Sequence, residues 1–433
     1  GRDIARFDLT LDADNNVTAS SVEIVDMTDV TPSQEIRSIP LVAEAHQKTI
    51  DFIAGGTDES GEPLPPLGST TAKFQPENEI AGLPQGKLED TAVMDLINKI
   101  QLENSGADVS AAALFKNTSD LPAGDINYGN IFDIYKFDNT LYRVKVTGAE
   151  LKAYMEWSAE CYNQWKEGDI NISFDPEYPD YLYDMFAGVE YEIDLSQPKG
   201  ERIKNVMFKG EPLQDDQTLT LAVNNYRYSS ALKGQNLISG TKEWESSNSI
   251  RDMIVAYFAE HSPVAPEVDN NWKIVGVDLN KDDVRRAELI GYINDGLLPT
   301  PYAESYNLAD YDALVAQAKA NAAVLVDGTP KVVSTATDAA GNTYYRLRDL
   351  AAALNGTGKQ FNVLWNAGVE ITTGATYADP ALTMPTQAPA GLTAETLTVK
   401  VDGAAQSMSA VLSNGNYYVA SSALEALGIT CTV

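Results

Sequence analysis

His46 and His261, with Cys161 and Cys431, are the only imidazole and thiol groups in the 433-residue chain. Their spacing sets the first limit on chemistry. Neither histidine stands in an HExxH, HxH or DxH arrangement, whereas a hydrolytic metal centre gathers several histidines and carboxylates from loop ends. Each therefore reads as a solvated or helix-capping side chain, and neither a metal ligand nor a catalytic residue is assigned within this chain. No GxSxG elbow, P-loop or CxxC is present either. Cys161, in the helical pattern GAELKAYMEWSAECYN, reads as packed rather than reactive. Two cysteines so far apart make no disulfide framework, and their spacing does not say whether they pair. One acidic turn imitates a calcium loop, with Asp12, Asp14, Asn16 and Glu23 at loop positions 1, 3, 5 and 12. Val17, however, stands where the sharp bend needs Gly, so the segment reads as a polar hairpin turn. With 62 Asp and Glu in the chain, closeness of two carboxylates carries no information by itself.

Against those 62 acids stand 31 Lys and Arg, a formal net charge of −31. Such a field repels nucleic-acid polymers and anionic membrane surfaces, while a small anionic ligand answers to local charge. No stretch approaches the ~18 continuous apolar residues of a membrane span. The apolar fraction of 44% is enough to bury real cores, and the length predicts two to four domains. The opening GRDIARFDLTLD reads as a strand rather than a signal peptide, as expected of a trimmed chain or of half of a larger protein.

The elements that must position any site follow from periodicity. Residues 4–25 alternate around DADNN and predict a hairpin. LVAEAHQKTIDFIA (41–54) predicts a helix, and GGTDESGEPLPPLGS after it cannot be regular. DTAVMDLINKIQLE (90–103) predicts a helix with Ala92, Met94, Leu96, Ile97 and Ile100 on one face. LYRVKVTG, VEYEIDLS, IKNVMFKG and TLTLAVNNYR read as strands; residues 148–165 and SSNSIRDMIVAYFAEH read as helices, the second with a Ser/Asn-rich start suited to capping. The mixture predicts an α+β fold, with a main domain over residues 35–305 and a linker over 306–321.

From 322 to 433 the chain is rich in Ala, Thr and Gly and contains a repeat: AVLVDG…NTYYRLRDLAAALNGTG (323–358) and TVKVDG…GNYYVASSALEALGI (398–429). Each copy reads strand, strand, short amphipathic helix, separated by the connector TYADPALTMPTQAPAGLTAET. Two copies of about 35 residues suit a small paired module rather than a solenoid.

The segment LPAGDINYGNIFDIYKFDNTLYRVKVTGAELKAYMEWSA (121–159) resembles the C-terminal domain of the 5'-nucleotidase family, and within it the 2',3'-cyclic-nucleotide 2'-phosphodiesterase/3'-nucleotidase branch. EDTAVMDLINKIQ (89–101), ADVSAAALFKN (107–117), PDYLYDMFAGVEYEIDLSQP (179–198) and TLAVNNYR (220–227) match further, in the family's order over about 200 residues. The hairpin of residues 1–34 resembles the strand closing the family's N-terminal metallophosphatase domain, and residues 41–54 resemble its interdomain helix. The resemblance implies a nucleoside-binding domain that grips the base between two aromatic rings, which fall on Phe137 of YKFDNT and Tyr226 of NNYR. It also implies two divalent metals held by the N-terminal metallophosphatase domain of the same protein, outside this chain, which itself needs no cofactor. A ring pair accepts any base because every base has a π-face. Read without the resemblance, both rings could be core aromatics, but each lies beside an Asn-rich polar turn, KFDNT or NNYRYSS, where a core ring is less expected. Asn224, Asn225 and Arg227 are candidate polar partners of the ligand, with the sequence not deciding which point inward.

Two departures stand out. ALFKNTSD occupies the place of the Asn-Gly-Gly-x-Arg phosphate motif of the 5'-nucleotidase branch, and YSSALKGQN replaces the family's Gly-rich loop after NNYR. The first favours the cyclic phosphodiesterase branch. The C-terminal repeat resembles, through VDG, NTYYRLRDLAAAL and GKQFNV, the stalk-type module named after the N-terminal domain of copper amine oxidases; it implies a spacer or cell-wall contact and no copper. Together these imply the nucleoside-recognition part of a secreted or surface-held nucleotide phosphohydrolase in extracellular nucleotide catabolism. The alternative is a non-catalytic surface protein in which both parts serve wall binding.

Overall fold

The computed structural model of the protein describes residues 3–26, 33–55, 62–321, 324–379 and 388–432. The alternating N-terminal segment forms the expected hairpin, Asp3–Leu11 against Val17–Asp26, with Phe7 opposite Val22 and Ala5 opposite Ile24. Period 2 places Phe7, Leu9, Val22 and Ile24 on one face, and all four are exposed. At the turn, Asp12 Oδ1 accepts the backbone N–H groups of Asp14 and Asn16, each at 2.9 Å. A carboxylate bonded this way shapes a turn, in line with the polar reading. The helix Pro40–Ala54 opens with Pro in its first turn and closes on Gly55 at φ 74°, the asymmetry that suits each residue's backbone. The Gly/Pro-rich passage after it and the connector near residue 385 lie partly outside the described residues.

The main core extends from Phe74 to Ala318 in one hydrophobic cluster. Its mixed sheet runs Lys242–Ser249, Thr140–Thr147, Thr218–Asn224, Val109–Ala112, Met185–Ala187. The strand Thr218–Asn224 lies at the centre, antiparallel to Thr140–Thr147 and parallel to Val109–Ala112. A four-stranded sheet of Glu211–Pro212, Ile203–Phe208, Glu190–Asp194 and Trp272–Val275 completes the β-structure of this α+β unit, apart from a two-stranded pair.

The helix Ala92–Ser105 is buried on more than the single apolar face predicted: Val93, Asn98 and Gln101 are buried too. Its buried polar side chains form an internal chain, Gln101 Nε2 donating to Ser110 Oγ (2.7 Å) and Ser110 Oγ to Asn98 Oδ1 (2.8 Å), as burial favours.

Three expectations need correction. The helix expected over 148–165 ends at Ser158, because the buried Arg202 Nη1 donates to the carbonyls of Ala159 and Tyr162, both at 2.8 Å; the chain turns to present them. Only Ser249 of the SSNS stretch caps the helix Ile250–His261, in a capping box with Asp252; the residues before it belong to the edge strand Lys242–Ser249. The stretch 306–321 carries a helix, Tyr311–Asn321, whose Leu314 and Ala318 join the main core.

A second cluster, Val324 to Cys431, serves the repeat. Both VDG motifs are two-residue hairpin turns with positive φ at each central residue: Asp327 (50°) and Gly328 (77°), then Asp402 (50°) and Gly403 (85°). Gly and Asp tolerate this conformation, which matches the strand twist. The equivalent strands of the two copies, Thr343–Arg346 and Asn416–Ala420, pair directly, Tyr345 opposite Val419. Cys161 and Cys431 sit in different clusters as free, buried thiols, and burial pushes Cys161 up to about 12.

Candidate functional site

Leu141 pairs with Asn224 across two antiparallel strands. The chain entering Thr140–Thr147 and the chain leaving Thr218–Asn224 therefore emerge at the same end of the sheet. Phe137 lies in the turn before the first strand, and Tyr226 in the short helical turn Asn225–Arg227 after the second. Between them opens a cavity of about 220 Å³ lined by Phe115, Phe137, Asn139, Tyr181, Asn224, Tyr226 and Arg227. Phe137 is 42% and Tyr226 52% exposed, so neither ring is a core aromatic.

The two rings are held differently. Phe115 meets Phe137 edge-on, centroids 4.9 Å apart at 89°, and meets the buried Tyr135 the same way at 5.1 Å, the arrangement aromatic quadrupoles prefer. Lys136 Nζ lies 4.9 Å from the Phe137 centroid. The Tyr226 turn is fixed from below: Asn224 Oδ1 accepts the Arg227 N–H at 2.7 Å. The buried Arg227 guanidinium pairs with Asp184 (Nε to Oδ2, 2.5 Å), donates to the Tyr181 carbonyl and lies over Trp157. Burial pushes the Asp184 carboxyl up from its ordinary value; Arg227 and the Tyr154 hydroxyl, at 2.7 Å, oppose that.

Of the polar candidates, then, Asn224 and Arg227 line the cavity with their side chains engaged in holding the turn. Asn225 lies off the cavity lining, its Oδ1 buried without a hydrogen-bond partner among the described residues. Phe115, Asn139 and Tyr181 were not assigned from the sequence. All three lie inside the matching segments, in ALFKN, KFDNT and PDYLYD, but no local spacing marks a side chain that lines a cavity across the fold.

Residues 68–237 match the family model of the 5'-nucleotidase C-terminal domain. Over this stretch the chain is similar to that family. Among curated relatives, the 2',3'-cyclic-nucleotide 2'-phosphodiesterase/3'-nucleotidase of Yersinia enterocolitica is 34% identical over 197 residues, covering 38% of this chain and 30% of the relative. The protein of the same name from Salmonella typhimurium is 32% identical over 203 residues, with coverage of 39% and 30%. The chain thus spans under a third of the length of these relatives. The crystal structure of a 5'-nucleotidase precursor from Thermus thermophilus superposes with a TM-score of 0.42 at 19% identity, over 64% of this chain and 51% of that one.

Among the described residues, one cluster of carboxylates has the closeness that a cation site requires. Carboxylate oxygens of Asp90, Asp95 and Asp269 all lie within 4.8 Å of one another. Asp95 and Asp269 border a separate cavity of about 720 Å³ that also includes His261. Burial and the neighbouring carboxylates raise Asp90 to about 6 and Asp95 to about 7. Asp95 Oδ2 accepts the Asp269 N–H at 2.9 Å and Asp90 Oδ1 the Trp272 indole N–H at 3.1 Å, so the group ties a loop to the helix Ala92–Ser105. His261 stacks on Tyr257 at 4.2 Å, and His46 is exposed on the helix Pro40–Ala54. Among the described residues no helix is long and apolar enough to cross a membrane.

Proposed function

We propose that the main domain binds the nucleoside part of a nucleotide, its base inserted between Phe137 and Tyr226. The observation that carries this is the pair of exposed rings opening on one small apolar cavity. At about 220 Å³ it lies below the ~300–1,000 Å³ of pockets that enclose drug-sized ligands, a size suited to a base with the sugar and phosphate outside. The parent activity proposed is a secreted, metal-dependent nucleotide phosphohydrolase of extracellular nucleotide catabolism. Its two divalent metals would be held by a metallophosphatase domain of the same protein, in which the hairpin Asp3–Leu11/Val17–Asp26 would find cover for its exposed apolar face. The similarity to cyclic-nucleotide phosphodiesterases and ALFKNTSD in place of the phosphate motif favour that branch. Residues 324–432 would serve as a stalk-like spacer at the cell surface.

The test is an adenosine titration, by calorimetry or NMR, of wild type, Phe137→Ala and Tyr226→Ala. Stacking contributes roughly 1–3 kcal/mol per base–ring contact, so each alanine variant should bind about tenfold more weakly or worse, and Phe137→Trp should bind like wild type. Equal affinity in wild type and both alanine variants would remove the clamp.

A further inference from the structure

We infer that the C-terminal module carries a binding site for a neutral saccharide, centred on Trp365. The indole ends the strand Phe361–Trp365, and 69% of the residue is exposed. Tyr417, on the strand Asn416–Ala420, lies nearly parallel to it, centroids 6.3 Å apart and planes at 15°. Phe361–Trp365 is an edge strand of the seven-stranded sheet and is separated from Asn416–Ala420 by other strands, so the sheet coils enough to bring Trp365 to Tyr417. The two rings open on a cavity of about 290 Å³ whose other walls include Arg348, Val363, Asp379 and Asn416.

The walls specify the ligand. A large ring left in water beside further exposed apolar surface, here Leu364 at 52%, marks a binding face when polar groups rim it. The rim is Arg348, which pairs with Asp379 and donates from Nε to the Tyr377 hydroxyl at 2.9 Å. Guanidinium and carboxylate cancel in charge, so the site offers no net attraction to phosphate or ammonium. Yet a guanidinium has five N–H donors and a carboxylate about four acceptor sites, so the pair keeps donors and acceptors for hydroxyl groups. A pyranose has the complementary form: a flat face of C–H bonds to lie on an aromatic ring and an uncharged rim of hydroxyls. This site is separate from the Phe137/Tyr226 cleft and stands or falls independently of the nucleoside reading.

The experiment follows the indole N–H resonances of the full chain while hexasaccharides of β-1,4-linked glucose and of N-acetylglucosamine are titrated, with sedimentation on the insoluble polymers as a second arm. One sugar should shift the Trp365 resonance with an affinity of about millimolar order. Trp365→Ala should lose at least about tenfold in affinity while melting as cooperatively as wild type, and Trp365→Phe should keep part of the binding. Sedimentation without a response to the soluble sugar would identify a polymer surface as the source, provided Trp365→Ala abolishes it. The proposal is overturned if no sugar binds the wild type up to about 10 mM in either form, or if wild type and Trp365→Ala bind equally. It is also overturned if adenosine or a proline-rich peptide shifts Trp365 at lower concentration than any sugar.

Discussion

Arg227 Nε lies 2.5 Å from Asp184 Oδ2, with the two side chains 2% and 1% exposed. This buried ion pair lies one residue along the chain from an aromatic ring that is half in water, and it fixes the turn that presents that ring.

Removing one partner should therefore be felt twice. Asp184→Ala leaves the guanidinium buried and uncompensated, which costs about 3–5 kcal/mol, read as a lower urea midpoint. Arg227→Lys should also destabilise, since one ammonium cannot replace contacts to Asp184, the Tyr181 carbonyl and Trp157 together. In whatever fraction stays folded, adenosine affinity should fall although neither substitution removes a ring. An Asp184→Ala variant with unchanged stability would show the pair to be dispensable.

A second expectation concerns pH. Asp90 and Asp95 titrate near 6 and 7 in the fold against about 3.9 when unfolded, so folding takes up protons between these limits. The stability they contribute is complete below about pH 4 and is lost as pH rises through 6 to 7. Asp95→Asn removes the titration but keeps an oxygen to accept the Asp269 N–H. The variant should thus exceed wild type in stability at pH 8, by about 1 kcal/mol once discounted for the water that reaches a half-buried carboxyl, and lose the advantage at pH 4.5. Chemical denaturation across this range decides it; a variant weaker than wild type at pH 8 contradicts the reading.

A third concerns where the chain can be cut. Truncation after Asn321 should leave the main core folded with cooperative melting, because the repeat module has its own hydrophobic cluster. Truncation after Ser305 should cost about 2 kcal/mol or more, the burial of Leu314 and its neighbours. Equal melting curves for the two would mean that the helix Tyr311–Asn321 adds nothing.

Segments with strong periodicity were legible beforehand: the hairpin, the helix Pro40–Ala54 and strands such as Thr140–Thr147. Val109–Ala112 and Met185–Ala187 were not, because short strands buried on both faces do not alternate. The helix Tyr311–Asn321 escaped because alanines dilute its stripe to Leu314 and Ala318. At the site, Phe137 and Tyr226 were reached through resemblance alone. That Arg227 faces Asp184 could not be read, since their meeting depends on strand register across 43 residues.

The direct pairing of Thr343–Arg346 with Asn416–Ala420 bears on how such a module can change over generations. Each copy of the repeat supplies the neighbour that covers the other's strand edge. A genetic event that added or deleted a single copy would leave that edge bare, with unpaired N–H and C=O groups open to pairing with another chain. Viable gains and losses should therefore come in twos, and a lone copy would find its complement only in a second polypeptide.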